Sequence, residues 1–504
     1  MDLKKLQNGS DIRGIALGAG TTLTPDAVRW LAEAFVVWLR GRTGRKSLKV
    51  AVGMDSRLTG DVLREAATGG ICSAGADAVD CGMASTPAMF MTTVSDTVGA
   101  DGAIMITASH LPSDRNGMKF FRSTGGLEKQ DIADIIAIAE AGGIPEPEQK
   151  GIVEKADFMA LYAKDLADLV RRSTGKDRPL EGLRIIVDAG NGAGGFYVDN
   201  VLEPLGADVT GSQFLEPDGH FPNHIPNPEN AQAMNSIVDA VRQNDADFGI
   251  IFDTDVDRAG AVDKDGVILN RNRLIAAISA ILLAEHPGTT IVTDSVTSSG
   301  LGDFIAAHGG RHHRFKRGYR NVINESIRLN NEGQDSQLAI ETSGHAALKE
   351  NYFLDDGAYL VTRLLIELAK LRDKGQSISD LIGDLREPAE SVEFRLPITA
   401  ADVSGCGQQI IEACAAHFSN QTARGVTIAP DNHEGVRVQF DLDNGNGWFL
   451  IRQSLHEPLM PVNIESDSEG GVLKIANTLL IFLLTQEGLD LTPLEQYTNP
   501  LPAD

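Results

Sequence analysis

Three aspartates alternate in the stretch FDTDVDR, at Asp253, Asp255 and Asp257. Carboxylates held this close repel one another unless a cation neutralises them. Hard oxygen ligands suit Mg2+ or Ca2+. An EF-hand is excluded by spacing, because its sixth and twelfth positions, Gly and Glu, are here Arg258 and Lys264. The competing reading is an exposed acidic turn, but the apolar run FGIIF in front argues for a buried one. Three carboxylates leave coordination positions open. A phosphoryl oxygen would serve as a further ligand, with Arg258 beside it to hold the phosphate.

A second stretch, ITASHLPSDRNGMKFF at 106–121, ends a β-branched run on Ser109. Taken alone, Ser109 reads as the N-cap of a following turn. Paired with an unfilled aspartate loop it reads as a phosphate carrier, bringing about two negative charges that His110, Lys119 and the metal would balance. Phosphoryl transfer is mostly positioning and charge stabilisation. The loop ETSGHAALKEN places Glu341, Ser343 and His345 close together. Glu and Ser at alternate positions can accept from and donate to neighbouring sugar hydroxyls, and a histidine can move a proton near neutral pH. In IRQSLHEPL, Arg452, Ser454 and His456 alternate after an apolar run, a fork and two further donors that suit a distal phosphate, or else a plain polar strand end. The basic run RHHRFKRGYR, ending at Arg320, reads as a solvated face or a phosphate-facing loop rather than a nucleic-acid patch. GNGAGG at 190–195 satisfies the dinucleotide fingerprint, with Gly190, Gly192 and Gly195. Glycines also suit any tight strand-to-helix turn.

Elements must place these side chains. Three apolar strand candidates end in Gly/Ser/Asp turns at 48–57, 183–192 and 290–299. Three more, at 102–110, 248–258 and 337–345, end in the polar chemistry above. Short apolar strands alternating with helical patterns predict parallel or mixed sheets covered by helices, with ligands beyond the carboxyl ends of the strands. Helical connectors are expected at 157–172, 271–285 and 377–388, the last stopped by Pro388. After that, strand candidates at 391–398, 425–430, 435–443 and 447–454 predict an antiparallel α+β domain.

A chain of 504 residues is too long for one core. The net charge of −25 disfavours nucleic acid, whose phosphates it would repel. Four cysteines show neither metal spacing nor a disulfide framework, which suits a reducing compartment. The N-terminus lacks an apolar signal region, and the most apolar stretch, 274–284, is too short to span a bilayer. A cytoplasmic protein without membrane partners is expected.

In this order the motifs resemble those of the α-D-phosphohexomutases, most of all the phosphomannomutase/phosphoglucomutase group. ITASHLP with NGMK resembles the phosphoserine signature, FDTDVDR the metal loop, ETSGH the sugar-binding loop and RQSLHEP the phosphate-binding loop. SDIRG at 10–14 and GMDSR at 53–57 are similar to the family's N-terminal turns. The resemblance implies three related α/β domains, 1–160, 161–275 and 276–390, and a smaller C-terminal α+β domain, 391–504, around a central cleft. It implies Mg2+ held by phosphorylated Ser109 with Asp253, Asp255 and Asp257. Arg13, His110, Lys119, Arg258 and His345 match proton-transfer and charge-stabilising positions. Glu341 and Ser343 match the positions that grip sugar hydroxyls. Arg452, Ser454 and His456 fall in the loop that holds the non-reacting phosphate, and Arg320 is a further substrate-binding candidate. The implied reaction interconverts mannose or glucose 1- and 6-phosphates through a bisphosphorylated sugar, in a monomer or homodimer.

The chain also departs from the family pattern. Leu111 stands where the signature has asparagine, Arg115 where tyrosine is common and Ser10 where an aromatic is common. Ser454-Leu455-His456 replaces Ser-Asn-Thr, and no basic residue stands near Val462-Asn463. These positions bear on the choice of sugar, so a phosphoglucosamine mutase is the nearest alternative. A nicotinamide-dependent oxidoreductase built on the GNGAGG glycines and a non-catalytic sugar-phosphate sensor are the rivals from other classes.

Overall fold

The structure is a computed structural model and describes residues 2–419, 424–454 and 457–499. It divides into two compact units, one of residues 1–281 with 343–382 and the other of 282–342 with 383–504.

In the first unit, the N-terminal sheet runs in the order Gln7–Asn8, Asp11–Ile15, Arg115–Arg122, Gly102–Ile106, Lys49–Met54, Asp77–Met83, Val153–Lys155. Lys49–Met54 pairs in parallel with both Asp77–Met83 and Gly102–Ile106. Its sequence is correspondingly apolar throughout, with every residue but Lys49 buried. The helix Pro25–Thr43 starts where its sequence says it should. Thr24 accepts from Ala27 N, proline takes the first turn, and Gly44 ends the helix in the left-handed region at φ 69°. It packs tightly on Gly60–Ser73, where a Cβ on Gly70 would stand 2.4 Å from Arg29 O. The second sheet is ordered Val267–Leu269, Ala259–Asp263, Phe248–Phe252, Ile185–Asp188. Only its last two strands are parallel.

Two of the chemistry-bearing loops therefore do not lead into helices. The Ser109 loop joins Gly102–Ile106 to its antiparallel neighbour Arg115–Arg122, with Ile106 opposite Met118. The aspartate loop joins Phe248–Phe252 to antiparallel Ala259–Asp263, with Phe252 opposite Ala259. Each loop is thus anchored at both ends by buried strands. The helices Phe158–Thr174 and Gly357–Arg372 close this unit. Tyr162 Oη donates to Asp356 Oδ1 at 2.7 Å, and Tyr197 Oη meets Thr362 Oγ1 at 2.7 Å.

In the second unit, Thr290–Asp294 lies between Arg311–Phe315 and Ser336–Ile340, all parallel. The C-terminal sheet is antiparallel, in the order Glu390–Pro397, Leu459–Ser466, Gly447–Ile451, Val436–Phe440, Val426–Ile428. The helices Val403–Ser419 and Gly471–Leu483 bury Phe418, Ile475 and Leu479 against it.

The sequence reading needs two corrections. The connector expected at 377–388 is only a short turn, Ile378–Ile382. Asp380 takes Ser377 N at 2.7 Å, and Ser379 N is taken by Asp263 Oδ2 at 2.7 Å, so tertiary partners displace helix propagation. GNGAGG runs into a helical segment of mixed type, a 3-10 turn at Ala193–Gly195 followed by a π-helical stretch at Val198–Leu202. The strand Leu459–Ser466 was not anticipated, because Pro461 inside it reads as a breaker. No helix among the described residues is long and apolar enough to cross a membrane.

Candidate active site

Asp253, Asp255 and Asp257 are all buried, and one oxygen from each lies within 4.8 Å of the others. The exposed-turn reading is thereby excluded. Such a cluster persists only if cations face it. Lys119 Nζ donates to Asp255 Oδ2 at 2.8 Å and to Asp257 Oδ2 at 2.5 Å. Arg258 is likewise buried and donates to Asp253 Oδ2 from Nε and Nη2, each at 3.1 Å. Its main-chain N–H also donates to Asp253 Oδ1 at 3.1 Å. Thr86 belongs to the same constellation, its hydroxyl donating to Asp255 Oδ2 and its N–H to Asp255 O at 2.8 Å.

Ser109 reaches this cluster from the neighbouring loop. Its hydroxyl donates to Asp253 Oδ2 at 3.0 Å and lies 3.2 Å from Arg258 Nη2. No helix follows it, so the N-cap reading fails. Its backbone sits in the left-handed region, at φ 52°. For a residue with a Cβ that conformation costs free energy and is held by surrounding structure.

Electrostatics separates the side chains by role. Burial and the neighbouring Asp257 push the Asp253 carboxyl well above its ordinary range. Burial would raise Asp257 too, but Lys119, His345 and Arg258 outweigh it and hold that carboxyl well below. Burial and the charges of Arg258 and Arg13 press His110 down to about 2. It is therefore a neutral ring, 2.6 Å from Arg258 Nη2 and 3.2 Å from Ser109 Oγ at Nδ1. His345 goes the other way. Burial lowers it, but Asp355 and Asp257 prevail and lift it to about 9. Its Nδ1 lies 2.5 Å from Asp355 Oδ2, and its backbone bridges to Arg258. Arg13 pairs with Asp11 at 3.0 Å, on a strand that sets it opposite Gly117. Ser343 is buried in the same unit.

A metal ion can be tested against these residues. Asp255 Oδ1 and Asp257 Oδ1 are buried and accept no hydrogen bond. Buried carboxylate oxygens left without partners are expensive. Hard, converging, unsatisfied oxygens fit a hard divalent cation.

Glu341, Arg320, Arg452 and Ser454 lie in the second unit. Glu341 Oε1 accepts from Gly318 N at 2.6 Å, which ties the sugar-loop candidate to the start of the helix Tyr319–Asn331 that carries Arg320. Arg317 pairs with buried Asp294 at 3.4 Å. Arg452 is buried with its Nε unbonded, and its pKa is lowered chiefly by burial, against the pull of Glu434. Ser454 Oγ accepts from Glu457 N at 3.3 Å. His456 lies outside the described residues.

Thr86, Asp355 and Asn227, whose Oδ1 accepts from Arg258 at 3.3 Å, were not singled out in the sequence. Asp355 carried a faint signal, an acidic pair closing the run YFLDD. Thr86 carried none, being 169 residues from its partner. The GNGAGG glycines serve packing instead. A Cβ on Gly192 would stand 2.7 Å from Thr254 O, and one on Gly195 would stand 2.5 Å from Leu215 O.

Comparison with known proteins agrees with this geometry. Three models match in succession, described as phosphoglucomutase/phosphomannomutase alpha/beta/alpha domains I, II and III, over residues 4–143, 160–266 and 270–388. The phosphomannomutase/phosphoglucomutase of Pseudomonas putida is 31% identical over 484 residues, covering 95% of each chain. The phosphoglucomutase of Neisseria gonorrhoeae is 30% identical over 469 residues, 93% of this chain and 94% of that one. A crystal structure of a phosphoglucomutase/phosphomannomutase family protein from Burkholderia thailandensis superposes with a TM-score of 0.79 at 28% identity, covering 96% of this chain and 98% of that one. With serine, cations and the aspartate triad converging in one buried loop cluster, the chain belongs to the phosphoglucomutase/phosphomannomutase family.

Proposed function

We propose that this chain interconverts hexose 1-phosphates and hexose 6-phosphates, of mannose or glucose, through phosphorylated Ser109 and a bisphosphorylated sugar. The observation that carries the reading is the position of Ser109 Oγ, 3.0 Å from Asp253 and 3.2 Å from Arg258 at the rim of the triad. In the forward half-reaction the P–O bond to Ser109 breaks, a P–O bond to a sugar hydroxyl oxygen forms, and the hydroxyl proton ends on the departing Ser109 oxygen. The reverse half-reaction returns the opposite phosphate to Ser109. Asp253, Asp255 and Asp257 would hold Mg2+, which supplies charge to the transferring phosphoryl group. Arg258, already bonded to Asp253 and near Ser109 Oγ, steadies the same oxygens. His345, lifted to about 9 by Asp355, holds a proton at neutral pH that it can donate to the sugar oxygen left when the opposite phosphate returns to Ser109. His110 stays neutral and contributes hydrogen bonding. Glu341 and Ser343 would bind sugar hydroxyls, and Arg320, Arg452, Ser454 and His456 the distal phosphate.

The domain limits proposed are 1–160, 161–275, 276–390 and 391–504. The unpaired state of all four cysteines supports a cytoplasmic setting. The test is intact-mass measurement of the purified protein with peptide mapping, followed by assays on mannose 1-phosphate, glucose 1-phosphate and glucosamine 6-phosphate. One phosphate on the Ser109 peptide and turnover of the neutral hexose phosphates are expected, with turnover lost in Ser109→Ala. Undiminished turnover in Ser109→Ala defeats the mechanism. Preference for the amino sugar replaces the substrate.

A further inference from the structure

The Ser109 loop has a buried cation on its inner side that none of the chemistry above uses. Arg57 and Asp55 have no exposed side-chain surface, and Arg57 Nε stands 3.6 Å from Asp55 Oδ2. Both terminal nitrogens of Arg57 are spent on backbone carbonyls of the 109–115 loop. Nη1 donates to Pro112 O and Arg115 O, each at 2.8 Å. Nη2 donates to Ser109 O and Leu111 O, each at 2.5 Å.

Asp55 secures the same loop at its start. It accepts from Thr107 Oγ1 at 2.6 Å, and Thr107 Oγ1 accepts from Ser109 N at 2.8 Å. The Phe221 ring lies 5.4 Å from the guanidinium carbon and covers it. Beside it, a Cβ on Gly219 would stand 2.6 Å from Ser56 O, so the covering segment is pressed close. Ser109 is thus gripped at its own N–H and its own carbonyl, on either side of the left-handed φ of 52°. Strained backbone of this kind persists only where the surroundings over-determine it.

We propose that Arg57, with Asp55 and Thr107, is a positioning device for Ser109. It holds the loop in the one conformation that points Oγ at Asp253 and Arg258. Arg57 touches the carbonyl of Ser109 and not its reacting oxygen, so it acts through the backbone. Only a guanidinium can do this, because its planar fork presents separate N–H groups to separate acceptors. A lysine ammonium keeps the charge but not the geometry. The inference rests on the phosphoserine reading for its consequence, but the grip itself can be measured without it.

The experiment compares wild type, Arg57→Lys, Thr107→Val and Thr107→Ser by steady-state kinetics and amide hydrogen exchange, the latter on unphosphorylated protein. In Arg57→Lys, kcat falls about 100-fold, as a displaced nucleophile requires. KM changes by less than about threefold. Exchange quickens across 107–116 while the helix Phe158–Thr174 keeps its protection. Thr107→Val shows the same pattern more weakly, and Thr107→Ser behaves as wild type. Wild-type kcat in Arg57→Lys overturns the proposal, as does exchange that quickens equally throughout the first unit. Should Arg57→Lys fail to fold, Thr107→Val decides by the same two readouts. A wild-type Ser109 that never carries phosphate defeats the proposed function instead, leaving the loop exchange to judge the grip.

Discussion

Lys119→Met should cost stability as well as activity, and the cost should depend on metal. The ammonium bonds Asp255 at 2.8 Å and Asp257 at 2.5 Å while almost fully buried. Methionine matches its length and removes its charge, leaving two buried carboxylates facing each other with Arg258 and His345, the latter 3.8 Å from Asp257, as the remaining cations. Breaking a buried pair from one side costs about 3–5 kcal/mol. At about 2–4 °C per kcal/mol for a domain of this size, that lowers the melting temperature by ~10 °C. The pH dependence has a definite sign. Asp257 is held below its ordinary 3.8, so the stability that Lys119 contributes is complete above 3.8 and fades as the pH falls below it. The gap between wild type and variant is therefore wide near neutrality and closes in acid. Mg2+ should rescue the variant more than the wild type, because the triad has lost a competing cation. Saturation at about a hundred times Kd adds ~2.7 kcal/mol to whichever form binds. Differential scanning calorimetry in chelator and in Mg2+ measures all three effects. A variant melting within about 2 °C of wild type in chelator, or equal metal shifts in both, refutes the account of the triad as charge-compensated by Lys119.

Asp355→Asn should lower kcat by about 100-fold and move the alkaline limb of the pH–rate profile from near 9 towards the ordinary 6.5, because His345 loses its principal carboxylate partner. An unmoved alkaline limb excludes His345 as the proton holder. Gly192→Ala should destabilise by about 1–3 kcal/mol and reduce turnover, since the new methyl meets Thr254 O at 2.7 Å beside the aspartate loop. Calorimetric titration with NAD should show no binding in either form, and tight binding would revive the oxidoreductase reading. Arg437→Lys should lower the urea midpoint of the second unit by the equivalent of about 2–3 kcal/mol. It loses a stack 3.5 Å from the Trp448 ring and its donations to Ser295 O and Thr297 O. Trp448 fluorescence reports this locally, and an unchanged midpoint would show that the stack contributes nothing.

What could be read from sequence was what lies close in sequence. The alternation of Asp253, Asp255 and Asp257 after FGIIF carries its own evidence, because like charges behind an apolar strand demand a counter-charge. Ser109 alone was ambiguous between a cap and a phosphate carrier. The ambiguity ends only when Asp253, 144 residues away, is brought to its hydroxyl. Arg57 reads from the sequence only as part of a family-like turn, since a single arginine after a strand does not disclose that four carbonyls await it. The continuous buried strands were legible from their apolar runs. Their direction was not, and the antiparallel returns at Arg115–Arg122 and Ala259–Asp263 came without a warning signal. Leu459–Ser466 was hidden by Pro461, whose missing N–H is tolerated there.

The interleaving of the two units bears on how the chain is made. Residues 343–382 return to complete the first unit. They bring His345 to Asp257, Asp356 to Tyr162, and Gly357 so close that a Cβ there would touch the Arg258 backbone at 2.6 Å. A ribosome that has finished only residue 281 has therefore released an assembly lacking its last helix, with Tyr162 and Tyr197 still deprived of their hydroxyl partners. Closure must await synthesis of another hundred or so residues, about 5–20 s at ordinary elongation rates. During that interval the nascent chain presents raw apolar surface, which makes it a natural client for chaperones.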